Sequence, residues 1–233
     1  MPFVGVGWYR TEFDVPQFQA GKRATILFDG AMSHANVYIN GQKVGYWPYG
    51  YNSFHFDITK YLKPGEKNTL AVRLENLPES SRWYPGAGLY RNVHLIITED
   101  AYIPVWGTYI TTPSVNEKFA KVNVRTKVVL PEGADPAKYS VETSVWNPNK
   151  QKLTAVRTSL AQMKYNNNQA EQEFVIQAPS LWSPEMPALY SAETRLYEGD
   201  KLKDIYTTPF GIRSIEIIPD KGFFLNGKRT VFK

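Results

Sequence analysis

The chain has no cysteine among its 233 residues. That excludes disulfides, thiolate metal sites and a cysteine nucleophile, and leaves the compartment open. It also lacks any apolar run of about 18 residues, the length a membrane-spanning helix needs, so no membrane partner is expected. The opening Met1-Pro2-Phe3-Val4-Gly5 carries no charged region followed by an apolar core. No signal peptide is therefore visible, and an exported parent would carry one upstream. Neither a glycine-rich phosphate loop nor a nucleophile elbow occurs, and no cofactor is expected. His34, His55 and His94 stand apart without metal-ligand spacing, so no metal is expected either.

A concentrated block of positive charge is missing as well. The net charge is +5, but the 27 Lys and Arg residues are scattered among 22 acidic ones. A nucleic-acid binder gathers them on one element, so no nucleic-acid partner is expected. The short basic clusters at 118–127 and 201–203 read as solvated strand faces.

What the chain has in abundance is β-forming texture. Aromatic residues make up 14% of the chain, and valine, isoleucine, threonine and tyrosine recur in short alternating runs. The spacing predicts strands over 8–15, 24–28, 35–39, 54–58 and 69–74, with a further strand from Leu89 to Ile97. Asn40-Gly41 is a hairpin signal, because both central residues must reach φ > 0. Thr59 is placed to cap a single helical turn ended by Pro64-Gly65. Some seven strands at regular spacing in the first hundred residues imply an all-β sandwich or jelly roll. After a connector containing Pro104, strands of immunoglobulin-like length follow over 108–112, 120–130, 139–146, 153–161, 170–176, 189–197 and 204–218. The residues from Gly222 form a hairpin around a second Asn-Gly pair, Asn226-Gly227. A lone hairpin is marginal in water, so Phe223, Phe224 and Val231 are expected to lie exposed or to pair with another chain. The expected organisation is a jelly-roll domain at 1–103, an immunoglobulin-like β-sandwich at 104–218 and the start of a further domain at 219–233.

The most distinctive stretch is Ser81-Arg82-Trp83-Tyr84-Pro85-Gly86-Ala87-Gly88-Leu89-Tyr90-Arg91. Pro85 fixes its own φ, while Gly86 and Gly88 permit a bend that other residues resist. Rings and arginines on a stiff loop at a strand mouth suit ligand contact. They suit equally an aromatic plug for the end of a sandwich. Carboxylate chemistry is less evident. Asp14, Asp29, Asp57, Asp135 and Asp220 read as turn residues, and Glu142 and Glu193 as solvent-facing strand positions. No acid pair of the kind that cleaves glycosides stands out, and no catalytic residue is assigned.

Several ordered motifs resemble glycoside hydrolase family 2. Trp8-Tyr9-Arg10, the run Val37-Tyr38-Ile39-Asn40-Gly41-Gln42-Lys43-Val44-Gly45, Gly50-Tyr51-Asn52-Ser53-Phe54 and Gly86 to Arg91 look like its N-terminal domain. Trp182-Ser183-Pro184-Glu185-Met186-Pro187-Ala188-Leu189-Tyr190 and Phe210-Gly211-Ile212-Arg213 look like its immunoglobulin-like domain. Phe224-Leu225-Asn226-Gly227-Lys228 is similar to the hairpin that opens the family's catalytic (β/α)8 barrel. The resemblance implies a sugar-binding jelly roll, an immunoglobulin-like sandwich and a truncated barrel, in a retaining enzyme most like a β-galactosidase. β-Glucuronidases and β-mannosidases share the scaffold.

The family's two catalytic glutamates lie in the barrel and have no counterpart here, which implies that this chain alone is inactive. Some members place a sugar-contacting aspartate where Ser81 and Arg82 stand. The implied substrate-binding rim is therefore Ser81, Arg82, Trp83 and Tyr84. The implied partners are a carbohydrate substrate and the catalytic barrel, and the chain is compatible with a homo-oligomer and with a periplasmic or secreted parent. Two other functions fit the residues: a free carbohydrate-binding module stacking sugars on Trp47, Tyr49, Tyr51, Trp83 and Tyr84, or a purely structural β-sandwich pair.

Overall fold

The structure, a computed structural model, describes residues 5–17, 21–78, 86–162 and 169–231. It divides into two compact units, Met1–Asp100 and Ala101–Lys233.

In the first unit the strands are β1 (Gly5–Asp14), β2 (Arg23–Phe28), β3 (Ala35–Ile39), β4 (Gln42–Trp47), β5 (Phe54–Asp57), β6 (Lys67–Asn76) and β7 (Val93–Thr98). They form two antiparallel sheets, ordered β1-β6-β3-β4 and β5-β2-β7, in a jelly-roll sandwich. The period of two in the sequence becomes the inward face. Leu70, Val72 and Leu74 of β6 pack with Val37 and Ile39 of β3 and with Ile26 and Phe28 of β2. Phe28 and Phe54 stack with ring centroids 4.8 Å apart, and Trp47 stacks on Phe54 at 5.6 Å. One long side stays open between β1 and β7, where Phe13, Ile26, Leu70, Val93 and Leu95 line an apolar cleft of about 220 Å³.

A buried amide network sets the register at the opposite end from the 29–34 loop. Asn40 (φ 50°) and Gly41 (φ 80°) make the expected two-residue turn between β3 and β4. The Asn40 side chain also accepts from Thr69 N at 2.9 Å and donates to Tyr61 O and to Asn68 Oδ1. Asn68 is 1% exposed. It accepts from Lys63 N and donates to the Lys63 and Glu66 carbonyls. Every polar atom of that side chain is used, so its removal strands several buried partners at once. Thr59 departs from expectation. It opens the 3-10 turn Thr59–Tyr61, but its hydroxyl bonds Ala24 of β2, and Asp57 Oδ1 receives the Thr59 amide instead.

The second unit holds β8 (Thr108–Val115), β9 (Phe119–Lys127), β10 (Tyr139–Trp146), β11 (Lys152–Ser159), β12 (Gln169–Gln177), β13 (Tyr190–Glu198) and β14 (Lys201–Phe210). The sheets β12-β9-β8 and β11-β10-β13-β14 make an immunoglobulin-like sandwich. Gln172, 2% exposed, crosses the sandwich and donates to the carbonyls of Val141 and Val156. Ala101 and Ile103 of the connector are buried among Val128, Val141 and Leu196. Asp204 pins them there, accepting from Ile103 N at 2.8 Å.

The single last strand expected over 204–218 is in fact two. Gly211 lies under Trp182, so closely that a Cβ would sit 2.9 Å from that side chain, and Ile212 O accepts from Trp182 N. The chain therefore leaves the sheet after Phe210. It re-enters as β15 (Ile215–Ile218), which pairs with β16 (Gly222–Leu225) and β17 (Lys228–Arg229) in a separate small sheet. Asn226 (φ 51°) and Gly227 (φ 74°) form the second Asn-Gly turn. Asn226 accepts from Ser214 N and donates to Trp182 O, tying the hairpin to its own unit. The expected exposure of the hairpin holds only for Val231, at 67%. Leu225 is buried, and Phe223 and Phe224 are half-buried because β15 runs beside them.

Two outcomes follow from these buried polar anchors. Asn68→Ala lowers the stability of the first unit by about 3 kcal/mol, since unmet buried groups cost about 1–3 kcal/mol each; a loss within error in denaturant unfolding contradicts the network's role. Asp204 is half-buried, and desolvation raises its carboxyl above the ordinary 3.8, against opposing hydrogen bonds from the Ile103 and Ile205 amides. The folded state then holds its proton more tightly than the unfolded state. The associated stability is complete below pH 3.8 and is lost as pH rises through the raised folded value. The stability difference between wild type and Asp204→Asn accordingly shrinks as pH climbs through that window, and a pH-independent difference rules this out.

Candidate functional site

Three segments meet at one end of the first sandwich: residues 29–34 after β2, 48–53 after β4 and 86–92 before β7. They are welded together through backbone. Met32 N donates to Gly88 O at 3.0 Å and Gly88 N to Met32 O at 3.1 Å. The pairing needs Gly88, whose φ is 100° and whose hydrogen faces the Tyr9 hydroxyl, leaving no room for a Cβ. His34 N donates to Pro48 O at 3.1 Å, and Tyr90 Oη donates to Gly50 O at 2.9 Å. Gly50 is buried, and a Cβ there would meet the Met32 sulfur and stand 3.1 Å from the Met32 Cα.

Asp29 is the polar centre of this end. Its carbonyl accepts from Ser53 Oγ at 3.2 Å and Arg91 Nη1 at 3.4 Å, and its amide donates to Asn92 O. Its carboxylate lies 3.0 Å from His94 Nε2. The sequence marks Asp29-Gly30 only as a turn, because nothing local announces partners more than sixty positions away. These bonds also explain why Leu89 to Arg91 stays out of β7, although its composition is that of a strand. Tyr90 is committed to Gly50, Arg91 to Asp29, and regular pairing starts at Val93.

The predicted rim residues Ser81, Arg82, Trp83 and Tyr84 lie outside the described residues. Of the other predicted stacking rings, Trp47 is partly buried against the core and stacked on Phe54, which commits one of its faces. Tyr49 and Tyr51 are 54% and 52% exposed. His34 Nδ1 lies 2.6 Å from the Tyr46 hydroxyl, whereas His94 Nε2 faces Asp29. Glu193 is ion-paired with Arg195 at 2.8 Å. Among the described residues no group of three or more His, Asp or Glu could hold a metal ion.

The described residues thus define a β-sandwich pair whose first member gathers aromatic rings, hydroxyls and a carboxylate on rigid loops, an arrangement suited to binding. Comparison with known proteins carries this to the family. Residues 2–99 match the model of the glycosyl hydrolases family 2 sugar binding domain, and residues 102–213 match that of glycosyl hydrolases family 2. The chain belongs to this family.

It is 40% identical over 227 residues to a beta-galactosidase, BoGH2A, of Bacteroides ovatus, covering 97% of this chain and 27% of that protein. It is 37% identical to a putative beta-glucuronidase of Formosa agariphila, covering 98% of this chain and 21% of that one. Among solved structures it resembles a family 2 member from Bacteroides cellulosilyticus, with a TM-score of 0.87 at 34% identity, covering 97% of this chain and 31% of the other. A Bacteroides uniformis beta-glucuronidase matches with a TM-score of 0.80 at 29% identity, over 97% of this chain and 28% of the other. The chain spans about a quarter of the length of these curated relatives.

The clamped loops carry their own test. Gly50→Ala must push the Met32 backbone aside and costs about 1–3 kcal/mol, as overpacking does. Tyr90→Phe loses one hydrogen bond, about 1 kcal/mol. Denaturant unfolding of the first unit reads both, and a neutral Gly50→Ala removes the argument for a rigid 48–53 loop.

Proposed function

We propose that this chain is the substrate-positioning, non-catalytic part of a β-glycosidase that cleaves terminal β-linked sugars, with β-galactosides as the substrate class. The observation that carries the reading is the ordered match of both family models along nearly the whole chain, joined to a relative named as a beta-galactosidase at 40% identity. A second reading, with β-glucuronides as substrate, is supported by the beta-glucuronidase relatives in both comparisons. In either case the acid/base and nucleophile carboxylates belong to a catalytic barrel, for which β15 to β17 supply the opening strands. The sequence offers no evident acid pair for the proton and glycosyl transfers that retention requires, which supports an inactive chain.

In this reading Ser81, Arg82, Trp83 and Tyr84 form part of the sugar-pocket rim. What supports this is position: the loop joins β6 to the Gly86–Tyr90 segment, which is bonded to Met32 and Gly50 at the rigid end of the sandwich. Arg82 brings five donors for sugar hydroxyls and Trp83 an apolar face. A jelly roll, an immunoglobulin-like sandwich and the start of a barrel accompany the proposal, as does a homo-oligomeric parent; the first break falls after Asp100 rather than at 103, because Ala101 and Ile103 pack in the second unit, and the barrel strands begin at β15 rather than at 219.

The test compares the 233-residue chain with the full gene product on nitrophenyl β-galactoside and β-glucuronide. The full product is expected to hydrolyse one of them and the chain neither. Turnover by the chain, or none by the full product, overturns the proposal. In the full product Arg82→Ala should lower kcat/KM by the equivalent of about 1–3 kcal/mol while the melting temperature holds; unchanged kcat/KM removes Arg82 from the rim.

A further inference from the structure

We infer that Tyr49 and Tyr51 form a glycan-stacking platform, a sugar contact beyond the four residues assigned to the rim. The inference rests on the sugar-binding reading of the first domain and names the residues and ligand class for it.

Three observations carry it. The first is exposure. Tyr49 and Tyr51 are each more than half exposed, with ring centroids 5.5 Å apart and planes tilted by 60°. Neither belongs to the core cluster that holds Trp47, Phe54 and Phe56.

The second is preorganisation. The residue between them, Gly50, is buried against Met32 and its carbonyl is held by the Tyr90 hydroxyl. Ser53, two positions after Tyr51, is bonded to Asp29. Two exposed rings therefore ride on a backbone that is fixed from below, and a ligand that stacks on them has little ordering left to impose.

The third is chemistry. The exposed large side chains of the 46–51 stretch are Tyr46, Tyr49 and Tyr51, each an apolar ring with a hydroxyl at its tip. A pyranose presents a C–H face to the ring and hydroxyls around its edge, so it meets both halves of tyrosine. Two adjacent rings 5.5 Å apart extend the apolar surface beyond what one ring offers a single pyranose, so an oligosaccharide is the ligand class. The family model over residues 2–99, described as a sugar binding domain, favours this occupant over a protein.

The experiment uses the 233-residue chain. A β-linked galacto-oligosaccharide and a glucuronate-terminated oligosaccharide are titrated separately by calorimetry and by heteronuclear NMR. Millimolar binding of at least one probe is expected, with shifts centred on residues 46–53. Tyr49→Ala/Tyr51→Ala should weaken it roughly tenfold or more, while Tyr49→Phe/Tyr51→Phe, which keeps the rings, retains most of it. Because both rings are exposed, the alanine variant should melt with wild type.

Undiminished binding by a folded alanine variant overturns the platform, and so does the absence of binding for both probes. Hydrolysis by the full gene product alongside no binding here sinks the platform alone. Binding here alongside no hydrolysis sinks the glycosidase reading alone.

Discussion

The reciprocal backbone pair between Met32 and Gly88 is the constraint on which the functional end of the first sandwich depends. It joins the connection after β2 to the connection before β7, two segments 56 positions apart. Each side of the pair recruits a further contact with the 48–53 loop: Met32 packs onto Gly50, and two residues past Gly88, Tyr90 bonds the Gly50 carbonyl. Three loops are thereby reduced to one rigid body. Such loops would otherwise cost backbone entropy each time a ligand ordered them. Glycine is required at both contact points for the same reason: close approach leaves no room for a side chain, and at Gly88 the positive φ adds to it.

Asparagine plays a comparable part at the two hairpins, in different surroundings. Asn40 and Asn226 each occupy the first central position of an Asn-Gly turn, and each spends its side-chain amide on segments distant in sequence. The backbone demand, φ > 0, explains why asparagine is tolerated there. The side-chain bonds explain why it does more than tolerate the turn. Asn40 fixes β3–β4 to β6 and to the 3-10 turn, and Asn226 fixes the last hairpin to the Trp182 loop. An aspartate in either place would satisfy the turn but could not donate to the Tyr61 or Trp182 carbonyl.

How much of this was legible in the sequence follows from the range of the forces involved. Strands with one buried face announce themselves by alternation, and residues 139–146 are a strand end to end as read. Turns announce themselves by φ > 0 chemistry, and both Asn-Gly pairs form. Two stretches with strand composition failed, 89–92 and 211–214, and in both a contact from far away captures the chain: Tyr90 and Arg91 at Gly50 and Asp29, and Ile212 at Trp182. Of the site, the rim loop was suggested by its composition and the family motifs. Asp29, which organises the loops beneath it, carries no local signature beyond a turn.

The contrast between Trp47 and Tyr51 shows what separates a core ring from a binding ring in such a module. Both belong to one aromatic-rich run of five residues, and composition alone gives them the same standing. Trp47 ends β4 on its inward side, where Phe54 from the facing sheet stacks on it at 5.6 Å. Burying an aromatic ring there contributes on the order of 1.5–3 kcal/mol to folding, so its face is already committed. Tyr51 lies beyond the end of the sheet, on a loop whose hydrogen bonds are made by Gly50 and Ser53 rather than by the ring. Its ring touches Tyr49 yet stays half exposed because its neighbours do the holding, and that division of labour lets a stable sandwich present aromatic surface to a ligand.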